Sequence, residues 1–182
     1  MSDRPVLTTA RLVIRPAVAT DADALHPLYA DADAMRWWSH PPHDSIEQTR
    51  ARIGKDLAAP DGRMWAITRP ADDGAIGALF THVKRQGVAE IGYLLSRSEW
   101  GAGLGREAVA ALLGQLFGAE ATRRVFADTD PDNHASNRLL ERLDFTLEGR
   151  LRAEWKTHIG VRDSLIWGLL RAEWLARETP IS

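Results

Sequence analysis

The segment Glu90-Ile-Gly-Tyr-Leu-Leu-Ser-Arg-Ser-Glu-Trp-Gly-Ala-Gly-Leu-Gly-Arg-Glu-Ala108 carries the most informative pattern in this 182-residue chain. Ile91, Tyr93 and Leu95 alternate as one face of a strand, a short turn follows, and glycines at 101, 103 and 105 open a helix. Glycine reaches positive φ without a Cβ clash and lets a ligand come close to the backbone. The free N–H groups of the first helical turn, with the helix dipole behind them, then face that ligand. The guest they suit is a phosphate or diphosphate. Three readings compete for such a run: a plain strand-to-helix turn, a dinucleotide-binding loop and a Walker-type loop. No Gly-Lys-Ser/Thr follows, which excludes the last. Arg106 stands where G-x-G-x-x-G needs its final glycine, and no early β-α-β unit precedes it, which counts against the second. Gly92, inside the strand, points to a bulge or to close approach of a ligand; relief of crowding beneath a packed helix is the competing account.

Working outward, Val109, Leu112, Leu113 and Leu116 recur at helical spacing and predict a helix from Leu104 to Phe117, with Gly118 at its end. Arg124–Thr129 then reads as a strand, Asn133–Leu143 as a helix, and Phe145–Gly149 and Asp163–Leu170 as strands. Upstream, Leu12–Arg15 is a short strand ended by Pro16. Thr20 is the expected N-cap of a helix to about Ala34, kinked or shortened by Pro27. Ser45-Ile-Glu-Gln48 has capping-box spacing and opens a helix to about Leu57. Met64–Arg69, Ala75–Val83 and Val88–Ser96 lie between turn signals as an antiparallel meander. Antiparallel strands followed by one β-α-β crossover predict an α+β fold, a mixed and mostly antiparallel central sheet with flanking helices. The Pro/Gly/Asp clusters are turn-sized, so a single domain over 1–182 is expected.

Composition narrows the chemistry. The formal net charge is −2, which is no global signature of nucleic-acid binding. Only Lys55, Lys84 and Lys156 are lysines; the other basic residues are arginines, which favour bidentate anion contacts, although genome base composition gives the same bias and is the preferred account. The absence of cysteine excludes a disulfide scaffold, a thiolate metal site and a cysteine nucleophile. Met1-Ser-Asp-Arg-Pro5 puts acid and proline where a signal peptide needs an apolar run, and no stretch has the apolar length of a membrane span. A soluble, cytoplasmic protein with no membrane partner is expected.

A second informative segment is Asp130-Pro-Asp-Asn133-His-Ala-Ser136-Asn137-Arg-Leu-Leu-Glu-Arg-Leu-Asp-Phe145. Asn133 is placed to cap the helix, and on physics alone that role is favoured over a ligand contact. Leu139, Leu140 and Leu143 form the buried stripe. Met35-Arg-Trp37-Trp38-Ser-His-Pro-Pro42 puts aromatics on a loop, where they wall an acceptor site or cover the core. His40 and His43 are separated by prolines, no third ligand is evident, and no metal site is expected. Trp155, Trp167 and Trp174 read as core or interface.

Taken together, the two segments resemble the GNAT superfamily of acyl-CoA-dependent N-acyltransferases, most closely its ribosomal-protein-alanine N-acetyltransferase (RimJ/RimL-type) branch. The family's pyrophosphate loop, Arg/Gln-x-x-Gly-x-Gly/Ala, reads here Trp100-Gly-Ala-Gly103-Leu-Gly105, followed by Glu107-Ala108. Asn-x-x-Ser-x-x-x-Leu-Glu-Arg-Leu-x-Phe and the opening Leu7-Thr-Thr-Ala-Arg-Leu-Val-Ile-Arg15 also match, so the resemblance spans about residues 7–174. It implies acetyl-CoA as co-substrate, with the backbone of Tyr93, Leu94 and Leu95 bonding the pantetheine arm. Trp100, Gly101, Ala102, Gly103, Leu104, Gly105 and Arg106 would wrap the pyrophosphate, and Asn133, with Asn137, would complete the cofactor-binding set. Ser136 is implied to assist the leaving sulfur. Two departures stand out: Leu140 occupies a position where many relatives carry a tyrosine acid, and Asp144 replaces the usual glycine before Phe145.

The implied reaction is acetyl transfer to a primary amine, such as a protein N-terminal α-amine, by direct attack in a ternary complex. Neutralising an α-amine of pKa ~7.8 at pH 7 costs about 1 kcal/mol, and a lysine-like amine of pKa ~10.4 about 4.6 kcal/mol, so a base matters most for the latter. Glu154 and Glu90 are the two base candidates, with Glu154 ranked slightly ahead; a solvated or salt-bridged surface carboxylate is the alternative for each. Trp37 and Trp38 are the candidate acceptor-binding residues. A small amine acceptor, a longer acyl donor, or a non-catalytic CoA-binding module are the other readings, and a homodimer is compatible with all of them.

Overall fold

In the computed structural model, residues 4–177 are described. Met1–Asp3, part of the opening read against a leader, and the last five residues of the expected 1–182 domain lie outside them. The chain runs β1 (Leu7–Thr8), β2 (Val13–Pro16), α1 (Asp21–Ala30), α2 (Ala32–Met35), α3 (Ile46–Ala58), then the meander β3 (Gly62–Arg69), β4 (Asp72–Arg85) and β5 (Val88–Leu95). α4 (Leu104–Gly114), β6 (Arg124–Thr129), α5 (His134–Glu141), β7 (Thr146–Thr157), β8 (Gly160–Leu170) and α6 (Arg171–Ala176) complete it. The strands form one sheet in the order β1-β2-β3-β4-β5-β6-β8-β7. Every neighbouring pair is antiparallel except β5 and β6. This is the mixed, mostly antiparallel sheet with flanking helices that the patterning predicts. No helix among the described residues is long and apolar enough to cross a membrane.

Both faces of the sheet are covered, and the two-residue period of the strands sorts side chains between them. On β3, Trp65 and Ile67 join the cluster beneath α4 and α5, while Met64 and Ala66 join the cluster beneath α1–α3. β4 divides likewise, Leu79 to the first and Ala78 and Phe80 to the second. Leu104, Val109, Leu112, Leu113 and Leu116 are buried in the first cluster, as their spacing predicts, and Leu140 lies with them at 0% exposure.

The parallel pair is short. Val88, Ala89 and Glu90 pair with Arg124, Val125 and Phe126, and there the pairing ends. Beyond it Ile91–Leu95 stay paired to β4 alone, and Ala127–Thr129 to β8 alone. The turn after β6 is held by Asn137, whose Oδ1 accepts from the Thr129 hydroxyl at 2.6 Å and whose Nδ2 donates to the carbonyls of Asp130 and Pro131. The sheet therefore opens in its middle, between two strands that are each secured on their outer side.

Several expectations are corrected. Thr20 makes no side-chain cap; the backbone of Val18 instead donates to the carboxylate of Asp21, the first residue of α1. Pro27 lies inside α1, and the break comes four residues later at Asp31, whose carboxylate caps α2. Ser45 caps α3 as expected, although Gln48 reaches back to Asp44 N–H, not to that of Ser45. The helix of α4 gives way at Gln115 to a π-helical turn that runs through Gly118 to Ala119. β7 and β8 extend well past the short strands expected there: β7 is an edge strand whose residues are almost all exposed, so no apolar alternation marks it, and its register slips at two bulges. Asp144 does adopt the left-handed conformation, with φ +54°.

Gly92 forms no bulge, and a Cβ there would make ordinary contacts with Phe80 at 3.8 Å and Trp38 at 3.9 Å. Crowding is thus no reason for this glycine. Gly77 on β4, which pairs with Leu95, is different: a Cβ would come within 2.4 Å of the Leu94 carbonyl. Gly77→Ala is expected to destabilise the protein by about 1–3 kcal/mol in urea titrations, because the β4–β5 backbone must move. Gly92→Ala is expected to stay within about 1 kcal/mol of the parent, the small effect of a substitution that meets no clash.

Candidate active site

The opening between β5 and β6 leads into two cavities, of about 920 and 400 Å³. The larger is bounded by Tyr93–Leu95, the start of α4 and the exposed face of α5. Gly101 and Gly103 stand at φ +78° and +77°, and Gly103 is the N-cap of α4, so no side chain bonds the first-turn amides there. A Cβ on Gly101 would meet nothing within 4 Å, which leaves open space above the loop. Arg11 braces the loop from behind, donating to the Ala102 carbonyl at 2.9 Å and pairing with Glu107 at 2.6 Å. Partial burial alone would raise the Glu107 carboxyl, but hydrogen bonds from Thr9 and Arg11 hold it below the usual carboxylate range. The acid in the first turn is therefore tied to Arg11 and Thr9. Trp100 donates its indole N–H to the Leu95 carbonyl at 2.8 Å, closing the end of the open strand edge.

Charge in this cavity is one-sided. Arg36, Arg106, Arg138 and Arg142 all line it, and none enters an ion pair among the described residues. Its acids are already matched: Asp33 by Arg97, Glu99 by Arg69 and Asp132 by Arg162. Unpaired guanidinium groups beside free helix-start amides make a site for a polyanion.

The smaller cavity lies on the α1–α3 side and is walled by Trp38, Phe80 and Trp155. Trp38 packs edge-on against Phe80 at 5.6 Å. Tyr93, Asn133, Ser136, Trp37 and Trp38 line both cavities, so the two meet there. At this junction the Tyr93 hydroxyl and Ser136 Oγ lie 2.5 Å apart. Burial pushes the Tyr93 phenol well up, and the Ser136 hydrogen bond lowers it only in part, so both hydroxyls hold their protons at neutral pH.

Most of the residues singled out from sequence come together here. Tyr93, Leu94, Leu95, Trp100, Gly101, Gly103, Leu104, Gly105, Arg106, Asn133 and Ser136 border the larger cavity. Asn133 also caps α5, its Oδ1 accepting from Ser136 N–H at 3.2 Å. Three residues are placed elsewhere. Asn137 is buried, and its amide is used in holding the β6–α5 turn. Ala102 borders neither cavity and turns its carbonyl to Arg11. Glu154 lies within the register slip between Leu151 and Trp155 on the exposed edge strand β7, outside both linings. Glu90 does reach the smaller cavity, paired with Lys84 at 2.9 Å. The arginines of α5 and the hydroxyl of Tyr93 were missed. The first repeat at i, i+4 on the face opposite the leucine stripe, a signal that was available; the second needs β5 set against α5.

Residues 11–146 match the family described as acetyltransferase (GNAT) domain. The chain is 32% identical over 174 residues to the uncharacterized N-acetyltransferase p20 of Bacillus licheniformis, covering 92% of this chain and 97% of that protein. The crystal structure of the GNAT-family acetyltransferase from Bacillus anthracis superposes with a TM-score of 0.84 at 22% identity, over 93% of this chain and all of that one. Two structures holding CoA share the fold at a TM-score of 0.80. One is RimL, the ribosomal L7/L12 α-N-protein acetyltransferase, at 24% identity over 91% of this chain and 98% of that one. The other is the spermidine N-acetyltransferase of Vibrio cholerae, with spermine also present, at 18% identity over 92% and 99%.

The loop that carries Trp37 and Trp38 is anchored by stacked rings: Tyr29 on His43 and His43 on His40, each with centroids 5.0 Å apart. His40 donates from Nδ1 to the Pro41 carbonyl, which leaves Nε2 of the neutral ring unprotonated, buried and without a partner among the described residues. Thr49 Oγ1 bonds Nδ1 of both His26 and His43. Burial lowers the pKa of His40 and His43 below the usual histidine value. Below about pH 6.5 the unfolded chain then binds protons that the folded one resists. Stability is expected to be full above that pH and to fall as pH drops toward the lowered folded values. Urea unfolding across pH 7.5–5 checks this, and His40→Gln is expected to flatten the fall.

Proposed function

The chain belongs to the GNAT acetyltransferase family and is an N-acetyltransferase; we propose that its donor is acetyl-CoA and that a primary amine attacks it directly in a ternary complex. One observation carries the reading. A cavity lined by an uncapped glycine loop and four unpaired arginines ends at two protonated hydroxyls, on the far side of which a second cavity begins. The residues present fit a long ligand that is polyanionic at one end and reactive at the other.

In this reading the amides of Gly101–Arg106, with Arg138 and Arg142, hold the phosphates, and the unpaired edge of β5 at Tyr93–Leu95 orients the arm by backbone hydrogen bonds. Acetyl-CoA, when bound, supplies a thioester carbonyl as the electrophile. A backbone N–H on the open edge of β5 polarises the carbonyl oxygen. The Tyr93–Ser136 pair keeps a proton at hand for the departing sulfur. That help is modest, since releasing a thiolate of pKa ~8.5 at pH 7 costs about 2 kcal/mol, or roughly 30-fold in rate. Leu140 packs into the core and leaves no phenol on α5, so the hydroxyl of β5 takes that place. The fold is common to a protein α-amine acetyltransferase and a spermidine acetyltransferase, so the smaller cavity decides the acceptor.

Calorimetry with CoA is expected to show binding that weakens steeply with salt. The combined Arg106→Ala, Arg138→Ala and Arg142→Ala variant is expected to lose at least about tenfold in affinity and much of that salt dependence. No binding to the parent protein overturns the reading. In thiol-release assays, Tyr93→Phe and Ser136→Ala are each expected to lower kcat by no more than about 30-fold, with KM for acetyl-CoA little changed. The double variant is expected to be no worse than the single ones, because the two hydroxyls act as one unit.

A further inference from the structure

The smaller cavity contains one carboxylate that no cation among the described residues matches. β6 alternates, with Val125, Ala127 and Thr129 buried and Phe126 and Asp128 on the opposite face. Asp128 lines the cavity, and its two hydrogen-bond partners are both neutral: the indole N–H of Trp155, at 2.9 Å from Oδ2, and the hydroxyl of Ser164. A carboxylate offers about four acceptor sites, so it has capacity left. It enters no ion pair among the described residues. The other acids of the cavity are paired: Glu90 with Lys84 at 2.9 Å, Asp130 with Arg162 at 2.6 Å and Asp163 with Arg150 at 2.7 Å. Arg52 is paired with Asp56 at 2.9 Å, and His82 on β4 packs beside Gly62. Tyr93 stays protonated at the junction.

We propose that Asp128 receives the acceptor: its carboxylate pairs with the incoming ammonium and takes the proton that the nitrogen gives up before attack, and the acceptor it selects carries one cationic centre on a compact apolar body. This rests on the acetyl-transfer reading and extends it to the acceptor side. Three aromatic walls, Trp38, Phe80 and Trp155, favour both an apolar body and a cation close to their faces. A polyamine's further ammonium groups would find no second unmatched carboxylate here, because Glu90, Asp130 and Asp163 are each already paired with Lys84, Arg162 and Arg150. Aspartate is depleted in strand interiors, and here its two donors come from two other strands, so the carboxylate is held in a defined position on β6.

The proton count closes. The nitrogen loses its first proton to Asp128 and attacks the thioester carbonyl; the N–C bond forms and the C–S bond breaks. The Tyr93–Ser136 pair protonates the sulfur, and the second proton leaving the nitrogen restores that pair. An ammonium and a thioester become an amide, a thiol and one proton, which Asp128 returns to water.

The test measures thiol release with 2-phenylethylamine and with spermidine from pH 6.5 to 9.5, for the parent and Asp128→Asn. The parent is expected to prefer 2-phenylethylamine in kcat/KM. Asp128→Asn is expected to fall at least about 100-fold at pH 7. The gap should narrow about tenfold per pH unit toward the amine's own pKa, because solution then supplies the neutral nucleophile. A gap equal at every pH marks a merely structural carboxylate and overturns the proposal, as does a preference for spermidine. The same pH-rescued loss in Glu90→Gln or His82→Asn, with Asp128→Asn unaffected, also overturns it. Calorimetry of 2-phenylethylamine on the CoA-loaded protein gives a reading independent of turnover. Binding at least tenfold weaker in Asp128→Asn is expected, and equal affinity, or none in the parent, overturns the assignment. Failure of CoA itself to bind overturns the acetyl-transfer reading instead.

Discussion

The separation of β5 from β6 after Glu90 is the constraint on which everything else depends. A sheet seeks to pair every backbone donor and acceptor, and a strand edge left bare inside a protein is costly. Here the cost is confined to a few residues, because β5 remains paired to β4 along its length and β6 to β8. Asn137 ties down the turn that follows β6, and Trp100 closes the far end of the open edge through the Leu95 carbonyl. What remains is a short stretch of extended backbone offered to a ligand's own amides, together with a passage from one side of the sheet to the other.

Charge pairing then distinguishes the two ends of that passage. Around the larger cavity the acids are matched by neighbouring arginines while Arg36, Arg106, Arg138 and Arg142 have no ion-pair partner among the described residues, so the field favours an anion. Around the smaller one most charges of both signs are matched and a single carboxylate is left. A surface count of charged residues conceals this, because the net charge of −2 is close to zero. Function follows from which groups already have partners.

At the junction the hydroxyls come from β5 and from the first turn of α5, not from position 140. Leu140 is drawn into the core by the leucine stripe of α5, and no phenol projects from that helix. Tyr93 comes from β5, and its hydroxyl meets Ser136 from the first turn of α5. Burial keeps the phenol protonated, which is the state a donor to a leaving thiolate requires.

Read alone, the sequence determined the meander, the crossover helix, the cap at Asn133 and the glycine loop, because each is encoded by local spacing: period two, period 3.6, a short polar cap, residues free to take positive φ. It also brought most of the cavity-lining residues to notice, through the same loop and strand. It is silent or wrong where the partners belong to another strand, helix or turn. β7 carries no apolar alternation because it is an exposed edge, and Glu154 lies in its register slip outside both cavities. Asn137 reads as a ligand contact because no spacing rule shows that Thr129, Asp130 and Pro131 use up its amide. Asp128 and the Tyr93–Ser136 contact were decided only when strands β5, β6, β7 and β8 were set beside one another. Local spacing fixes which elements form; whether a charge is paired or left free is a property of the assembled sheet.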